Sequence, residues 1–469
     1  MSESHRSGRL VSLAKRLPWF RGLPREVGVL AGIAFCVALG FGIVAPALPV
    51  FARTFGVSAF LAAAVISVFA FMRLITAPAA GGLVNRIGER VVLSAGLIIV
   101  AVSSLLAGFS QTYNQLLVLR GVGGIGSAMF TVSAMALLLR TAGPNQRGQA
   151  SSAFQAGFLF GGITGPAVGG IVVGISIRMP FFVYAATLAV AAVVAIVFLR
   201  TPEQIRAEQE QEQRDQAELN SSTEPVDPQS DDCDPRTAYD LSEYPPMRDA
   251  GPAEPDSETE DQDDEDAARE HVTLLAALRN GGYRAALMAN LVNGFVTFGI
   301  RTSLVPLFVV ESLLRGPGLA GVGFLVAAAA QGVALIFAGR ITDQRGRKPA
   351  LIIGIATTLV GVLVLTLAND PVVFVIAMGV TGVGTAFLGS APAAIVGDVM
   401  GKQRGGTVVA AFQMTADVGA IAGPLIAGLI VDQLGYHWAF ASAVVVCAFA
   451  LFVALTMPET KQPETAAAK

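Results

Sequence analysis

Twelve long apolar stretches are the feature that most constrains this sequence. Each is about 20 residues or longer, which is the length that an α-helix needs to cross the hydrocarbon core of a bilayer. Their predicted limits are 27–51, 58–81, 91–110, 114–138, 149–174, 179–199, 284–310, 319–341, 349–368, 371–396, 406–431 and 437–457. Charged residues make up only 14% of the 469 positions, which argues against a water-soluble enzyme. The sequence therefore predicts an all-α membrane protein with 12 transmembrane helices.

The charges between the spans predict the orientation of the chain. If the N-terminus is cytoplasmic, the cytoplasmic loops carry most of the basic residues, as the positive-inside rule requires. These residues are Arg86, Arg90, Arg140, Arg147, Arg345, Arg347, Lys348, Lys402 and Arg404. An even number of spans returns the chain to its starting side. We therefore expect both termini to be cytoplasmic, and the compact loops favour a bacterial inner membrane.

A strongly acidic segment separates two groups of six spans. Residues 201–270 hold 24 Asp and Glu against 5 Arg and few apolar side chains, so this segment cannot bury enough surface to fold. We expect a disordered cytoplasmic linker that joins two halves, with a regulatory or partner-binding tail as the alternative. The predicted domains are a tail at 1–26, a six-helix bundle at 27–200, the linker at 201–272, a second six-helix bundle at 273–458 and a tail at 459–469.

The two groups of spans resemble each other at an offset of 258 residues. Gly126 corresponds to Gly384, and the pair Gly165-Pro166 corresponds to Gly423-Pro424. Two halves in the same orientation imply a pseudo-two-fold axis along the membrane normal. In transporters built in this way the substrate site lies near the midplane, between the halves.

A loop motif follows the second span and recurs after the eighth. The first copy comprises Gly81, Asn85, Arg86, Gly88 and Arg90, and the second comprises Gly339, Asp343, Gly346, Arg347 and Lys348. This pattern resembles the G-x-x-x-D-R/K-x-G-R-R/K loop of the major facilitator superfamily, with Asn85 in place of Asp and Glu89 in place of Arg in the first copy. The resemblance implies two pseudo-symmetric six-helix bundles, the major facilitator fold, and transport by alternating access.

We expect the loop motif to act as a latch. Its first glycine, Gly81 or Gly339, would let two helices approach closely, and the Asp343 carboxylate would face the positive N-terminal end of a neighbouring helix. Asn85 can only form hydrogen bonds, so the latch is expected to be weaker in the first half. In the alternative interpretation, the basic residues of the motif only set the topology.

A glycine-rich motif in the fifth span is similar to the pattern associated with the antiporter branch of the superfamily. It comprises Gly161, Gly165, Pro166, Gly169 and Gly170, and the eleventh span carries a looser copy with Gly423 and Pro424. The resemblance implies a bending point that seals the central cavity, because an internal proline kinks a helix. Ordinary close packing of small residues is the alternative.

Four charged residues lie deep within predicted spans, where a charge is costly and usually marks function. They are Arg73, Arg120, Arg301 and Asp417. Asp417 lies near the midplane and is the only carboxylate well inside a predicted span. We expect it to titrate a proton or to recognise a cationic substrate, with a structural ion pair to an arginine as the alternative. Arg120 belongs to a fourth-span pattern similar to the one that the family links to proton coupling.

Polar residues suited to a substrate cavity are few. Asn290 and Asn293 of the seventh span are the main candidates, because the superfamily lines its cavity with the first, fourth, seventh and tenth spans. Gln155 and Gln413 occupy equivalent positions of the repeat. The remaining side chains of the spans are mostly apolar, which suits lipophilic compounds better than sugars.

These features together predict a secondary transporter that exports small lipophilic or cationic compounds, coupled to protons or another ion. A metabolite or sugar uptake carrier and a non-transporting receptor that signals through the acidic loop are the alternatives. No P-loop pattern for ATP is present, and the 3 Cys and 3 His are too dispersed for a metal site, so no cofactor is expected. The expected partners are a small-molecule substrate, the coupling ion and the lipid bilayer, with no nucleic acid, and the protein is expected to work as a monomer.

Overall fold

A computed structural model of the chain describes residues 24–141, 147–199, 273–400 and 406–460. The predicted linker 201–272 lies outside the described residues, as do positions 1–23 of the N-terminal tail and 461–469 of the C-terminal tail. The domain limits therefore remain predictions.

The prediction of twelve membrane-spanning helices is confirmed in the described residues. The first span is formed by Arg25–Val44 and Ala47–Arg53, and the seventh by Gly281–Val292, Asn293–Arg301 and Thr302–Glu311. The other spans are Ala59–Ile87, Glu89–Gly108, Tyr113–Thr141, Arg147–Ile175, Met179–Phe198, Gly318–Gln344, Arg347–Thr366, Pro371–Met400, Gly406–Leu434 and Tyr436–Thr456, and a short helix, Leu274–Arg279, precedes the seventh span. Several helices extend a few residues beyond the predicted limits, because the chain stays helical as it leaves the apolar layer.

Local sequence signals set the helix ends. Ser58 caps the second span by accepting a hydrogen bond from the Leu61 amide, and the Asn280 side chain caps the seventh span in the same way. Gly88 and Gly346 have φ values of +85° and +110° and form the sharp turns into the third and ninth spans. Side chains with a Cβ rarely adopt this left-handed conformation, so these turns require the glycines of the loop motif.

Equivalent glycines pack in the same way in the two halves. A Cβ added at Gly126 would lie 2.6 Å from the carbonyl oxygen of Gly96, and one added at Gly384 would lie 2.9 Å from that of Gly354. The fourth span thus packs directly against the backbone of the third, and the tenth against the ninth. Both pairs are related by the offset of 258 residues, so the internal repeat of the sequence is also a repeat of helix packing.

The seventh span departs from the regular α-helix. Residues Asn293–Arg301 form a π-helix, in which each turn holds more residues than in an α-helix. Its effect is seen in the spacing of equivalent contacts between the halves. Leu39 and Phe295, whose carbonyls face Gly165 and Gly423, are 256 residues apart, Gly42 and Gly299 are 257 apart, and Arg53 and Glu311 are 258 apart. The seventh span therefore holds two more residues between these contacts than the first span does.

Candidate functional site

The interface between the two halves is the candidate functional site. We call the side of the bundle that carries the start of the first span and the end of the twelfth the termini side, and the opposite side the distal side. On the distal side the Arg53 guanidinium donates two hydrogen bonds to the Glu311 carboxylate, at 2.6 Å and 2.9 Å. Tyr436 donates a third to the same carboxylate at 2.5 Å. Arg53 belongs to the first half and Glu311 to the second, so this cluster ties the halves together.

A second polar contact closes the same side. The Asp432 carboxylate, at the distal end of the eleventh span, accepts hydrogen bonds from the backbone amides of Ala59 and Phe60 at 2.8 Å and 3.0 Å. These amides begin the second span, where the helix dipole favours a negative charge. We call the Arg53, Glu311, Tyr436 and Asp432 contacts the distal lock.

Sequence reasoning missed the distal lock, because its charged members lie at span ends, where a charge does not by itself indicate function. The repeat offset was the available signal. Arg53 and Glu311 are equivalent positions 258 residues apart with opposite charges. A pseudo-two-fold axis brings a residue close to the axis against its own equivalent, and only opposite charges are attracted there.

The predicted ionisable residues Arg73 and Asp417 meet as an ion pair across the same interface, deeper in the membrane. Ser67 precedes Arg73 in the second span and so lies nearer the distal side. Its hydroxyl donates a hydrogen bond to the Ile421 carbonyl at 2.9 Å. Both contacts join the second span to the eleventh. The geometry shows that Asp417 is paired with an arginine, while its role stays a prediction, and Asp417 has no free charge in this conformation to attract a cationic substrate. Its side chain is 21% exposed and that of Arg73 is 36% exposed, so solvent still reaches the pair.

The Arg73–Asp417 pair breaks the internal symmetry. The equivalent positions in the fifth and eighth spans are Leu159 and Gln331, which cannot form an ion pair. The equivalent contact between the fifth and eighth spans forms without these charges, so the fold does not require them. Departures from a structural rule that the rest of the chain follows are concentrated at functional sites.

Arg120 is buried in the first half, at 2% exposure. Its guanidinium carbon lies 4.4 Å from the centre of the Phe69 ring, and its Nε has no hydrogen-bond partner in the described residues. A cation over an aromatic face is stabilised by the ring quadrupole. The equivalent residue of the second half is Met378, which is fully buried, so this position also needs no charge for folding.

The polar residues of the seventh span have different environments. Asn290 is buried and donates to the Phe412 carbonyl at 2.6 Å, so it joins the seventh and eleventh spans, contrary to its expected place in the cavity lining. Asn293 and Arg301 lie at the two ends of the π-helix. The Oδ1 atom of Asn293 and the Nε and Nη1 atoms of Arg301 are buried without a partner in the described residues. The cavity candidates Gln155 and Gln413 are both exposed.

Among the described residues, the glycines of the loop motif do not make the close helix approach that was expected of the latch. A Cβ at Gly81 would meet only Val132, at 4.0 Å, and one at Gly339 would meet nothing within 4 Å, so neither glycine permits a close helix approach here. Asn85 and Arg86 are exposed, and the Arg90 guanidinium donates to the Ile196 carbonyl of its own half. The side chain of Asp343 lies outside the described residues.

A carboxylate does cap a helix at the second copy of the loop motif, but it is that of Glu459. Its oxygens accept from the backbone amides of Arg347 and Lys348 at 2.8 Å and 3.1 Å. Arg347 also donates to Asp398 at 3.0 Å and thereby ties the ninth span to the tenth. Glu459 belongs to the predicted C-terminal tail and not to the loop motif, so the motif alone did not indicate this cap.

The equivalent pair in the first half carries the opposite charges. Glu89 and Arg140 are 3.2 Å apart, and the repeat offset maps them onto Arg347 and Asp398. The unusual Glu89 of the first motif copy is therefore matched by an equally unusual basic partner. Both halves keep the ion pair while exchanging which helix supplies each charge.

The glycine motif of the fifth span packs against the first span. A Cβ at Gly165 would lie 2.7 Å from the Leu39 carbonyl oxygen, and Gly161 and Gly169 face the same helix. Gly170 instead faces Gly321 of the second half, on the distal side. In the eleventh span the Gly423 position would meet the Phe295 carbonyl at 2.7 Å. Both copies, which also contain Pro166 and Pro424, thus give the close packing that was the alternative to a bending point.

The architecture is that of a membrane transport protein with twelve spans in two equivalent halves, whose interface holds charges that folding does not require. A family model described as the Major Facilitator Superfamily matches residues 30–312 and 286–469, and the chain belongs to this family. Members of this family are transporters rather than enzymes, and the twelve spans make the chain a multi-pass membrane protein.

Among curated proteins, Multidrug resistance protein 1 of Bacillus subtilis (strain 168) is 33% identical over 181 residues, which cover 38% of this chain and 45% of that protein. Quinolone resistance protein NorA of Staphylococcus aureus is 28% identical over 182 residues, which cover 38% of this chain and 46% of that protein. The chain therefore matches less than half the length of these relatives.

Solved structures support the fold over nearly the whole chain. A bacterial homologue of the human lysosomal transporter Spinster, in an inward-facing and unoccupied conformation, has a TM-score of 0.65 at 14% identity and covers 94% of this chain and 98% of that chain. A mutant of the nucleoside transporter NupG has a TM-score of 0.61 at 15% identity and covers 92% of this chain and 98% of that chain.

Proposed function

We propose that the protein exports small lipophilic compounds across the bacterial inner membrane in exchange for protons. It works as a monomer with both termini in the cytoplasm, so the distal side is extracellular. The curated relatives are named for multidrug and quinolone resistance, and the mostly apolar spans favour lipophilic cargo. The observation that carries the proton coupling is the Arg73–Asp417 ion pair between the halves.

The pair explains how exchange can be obligatory. In the conformation observed, the halves are joined on the distal side and the pair lies at the inner edge of that contact. Opening the distal side requires the second and eleventh spans to separate, which would leave two opposite charges apart in a partly desolvated interface. An empty, deprotonated carrier therefore stays closed. Protonation of Asp417 removes its charge and releases the pair, so that the carrier can change conformation with a bound proton. A substrate that contacts the pair can also release it, so that the carrier can change conformation in the opposite direction with bound substrate.

Replacing Asp417 with Asn tests this coupling directly. The neutral side chain cannot hold Arg73 as an ion, so the carrier should change conformation without a proton. A pH gradient of one unit can support up to about a tenfold substrate gradient in a one-to-one exchanger, because 1.4 kcal/mol corresponds to a factor of ten. We expect the wild type to build such a gradient in proteoliposomes, and Asp417→Asn to equilibrate the substrate without concentrating it.

Two controls make the result specific. Asp370→Asn removes an exposed carboxylate from a distal loop, where it caps the Val372 amide, and should leave gradient-driven transport unchanged. Substrate counterflow without a pH gradient shows that Asp417→Asn remains a working carrier. Retention of gradient-driven accumulation by Asp417→Asn would contradict the proposal. Counterflow of sugars or nucleosides, with none of lipophilic dyes, would instead support the uptake alternative.

A further inference from the structure

We infer that Arg301 recognises an anionic group on the lipophilic substrate, so that the preferred cargo of this transporter carries a carboxylate or a similar anion. The inference rests on the proposed function, because it names the substrate class of the proposed exporter. It comes from the sum of the charges within the spans and from the surroundings of Arg301.

The membrane interior holds more positive than negative charge. In the described spans, away from their ends, the charged side chains are Arg73, Arg120, Arg301 and Asp417. The only carboxylate of this group is already paired with Arg73, so Arg120 and Arg301 are left without an anion among the described residues. A guanidinium does not lose its charge in a protein, and an uncompensated charge in the bilayer interior is costly.

The two remaining arginines differ in how they are accommodated. Arg120 lies over the Phe69 ring, which stabilises the cation. For Arg301, no ring contact is found among the described residues. Its Nε and Nη1 atoms are buried without a hydrogen-bond partner there. The Asn293 Oδ1 at the other end of the π-helix is also unpartnered. π-helical segments are frequent at functional sites, and this one carries unsatisfied polar groups at both ends.

The repeat provides an internal comparison. The position of the first span that corresponds to Arg301 is Ile43 at an offset of 258 residues or Val44 at an offset of 257. Both are buried apolar residues. The first half therefore fills this position with core packing. The charge of Arg301 is an addition to the fold, as expected of a recognition residue.

The position of Arg301 favours a substrate over a lipid headgroup as the source of the anion. The residue precedes Glu311 by ten positions, which places it about 15 Å from the distal end of the span, near the centre of a hydrocarbon layer about 30 Å thick. The helix that continues from it, Thr302–Glu311, contacts the first and second spans of the other half. Lipid phosphates lie at the membrane surface, whereas a substrate between the halves can bring its anion to this depth.

Three fluorescent probes with one skeleton test the inference: pyrenebutyrate, its primary amide and pyrenebutylamine. Binding is measured on the purified full-length protein in detergent, from the shift in unfolding temperature with probe concentration, so that it does not depend on transport. We expect the wild type to bind the carboxylate about tenfold more tightly than the amide, because a site built for charge-assisted hydrogen bonds discriminates against a ligand that lacks them. In Arg301→Gln the carboxylate and the amide should bind within about twofold of each other.

Matched variants and a transport assay separate the possible causes. Arg315→Gln removes a charge from the exposed loop after the same span and should keep the preference for the carboxylate, whereas Arg301→Lys should keep part of it. Equal binding of the three probes to the wild type, binding of none, or a loss of affinity in Arg301→Gln that is the same for carboxylate and amide, overturns the inference. If the binding preference is intact but a pH gradient drives no probe in proteoliposomes, proton-coupled export is contradicted and the inference about Arg301 is not.

Discussion

The distal lock offers the sharpest test of how this transporter changes conformation, and Glu311→Gln is the variant that weakens it most simply. The substitution keeps the shape of the side chain but removes the charge that accepts two hydrogen bonds from Arg53 and one from Tyr436. The Arg53 contacts join the halves only while the distal side is closed, whereas the Tyr436 contact lies within the second half. Losing the Arg53 contacts should therefore raise the free energy of the closed state relative to that of the open state.

The exposure of the pair sets the size of the effect. The Arg53 and Glu311 side chains are 33% and 28% exposed. Such a pair lies between an exposed ion pair, worth about 0.2–1 kcal/mol, and a buried one, whose rupture costs about 3–5 kcal/mol. We take about 1–2 kcal/mol, which is a factor of about 5–30 in the equilibrium between the closed and open distal side.

Distances between spin labels on the distal loops measure this equilibrium. Gln111 and Asn369 are exposed, lie one in each half and are equivalent in the repeat, so both can carry labels after replacement by Cys. The native Cys36, Cys233 and Cys447 are removed from the background first. Pulsed electron paramagnetic resonance should show mainly a short distance between the labels in the wild type. In Glu311→Gln, a longer distance should be more populated than in the wild type.

The pseudo-two-fold axis supplies a demanding control. Because the axis maps position 53 onto position 311, exchanging the charges by Arg53→Glu with Glu311→Arg rebuilds the ion pair across the same axis. We expect the double variant to return towards the wild-type distance and each single variant to stay open. Single variants with the wild-type distance, or a double variant more open than either single one, would refute the reasoning.

Two further predictions concern helix packing and the termini side. Gly165→Ala should destabilise the protein by about 1–3 kcal/mol, because its Cβ would lie 2.7 Å from the Leu39 carbonyl oxygen. Gly162→Ala adds a Cβ where nothing lies within 4 Å, and its thermal unfolding in detergent should match the wild type; equal behaviour of the two variants would count against the close packing. For Glu89 and Arg140, a double-mutant cycle should give a coupling of about 0.2–1 kcal/mol, since the pair is partly exposed. Exchanging the two charges should restore stability, and a coupling of zero would show that the pair contributes nothing.

The fold could be predicted largely from the sequence, and the partners of the functional side chains could not. Asp417 and Arg73 were both identified from their position within apolar spans, but their pairing joins residues 344 positions apart on different halves. Asn290 was expected to line the cavity. The orientation of the seventh span about its own axis instead places its amide against the Phe412 carbonyl. Helix rotation depends on contacts with the neighbouring helices, which a single sequence does not specify.

The sequence by itself determined the number of spans, their alternation across the membrane and the two-fold repeat. A bilayer imposes length and polarity on each span separately, because no backbone polar group can be left unpaired in hydrocarbon. That requirement is local, so it can be recognised segment by segment. The tertiary structure alone decided that Arg53 meets Glu311, that Asp432 caps the second span and that Arg301 meets no anion in the part of the chain that the structure describes. These outcomes depend on how two six-helix bodies meet at a shared interface, where attraction between distant charges acts only after the helices have packed.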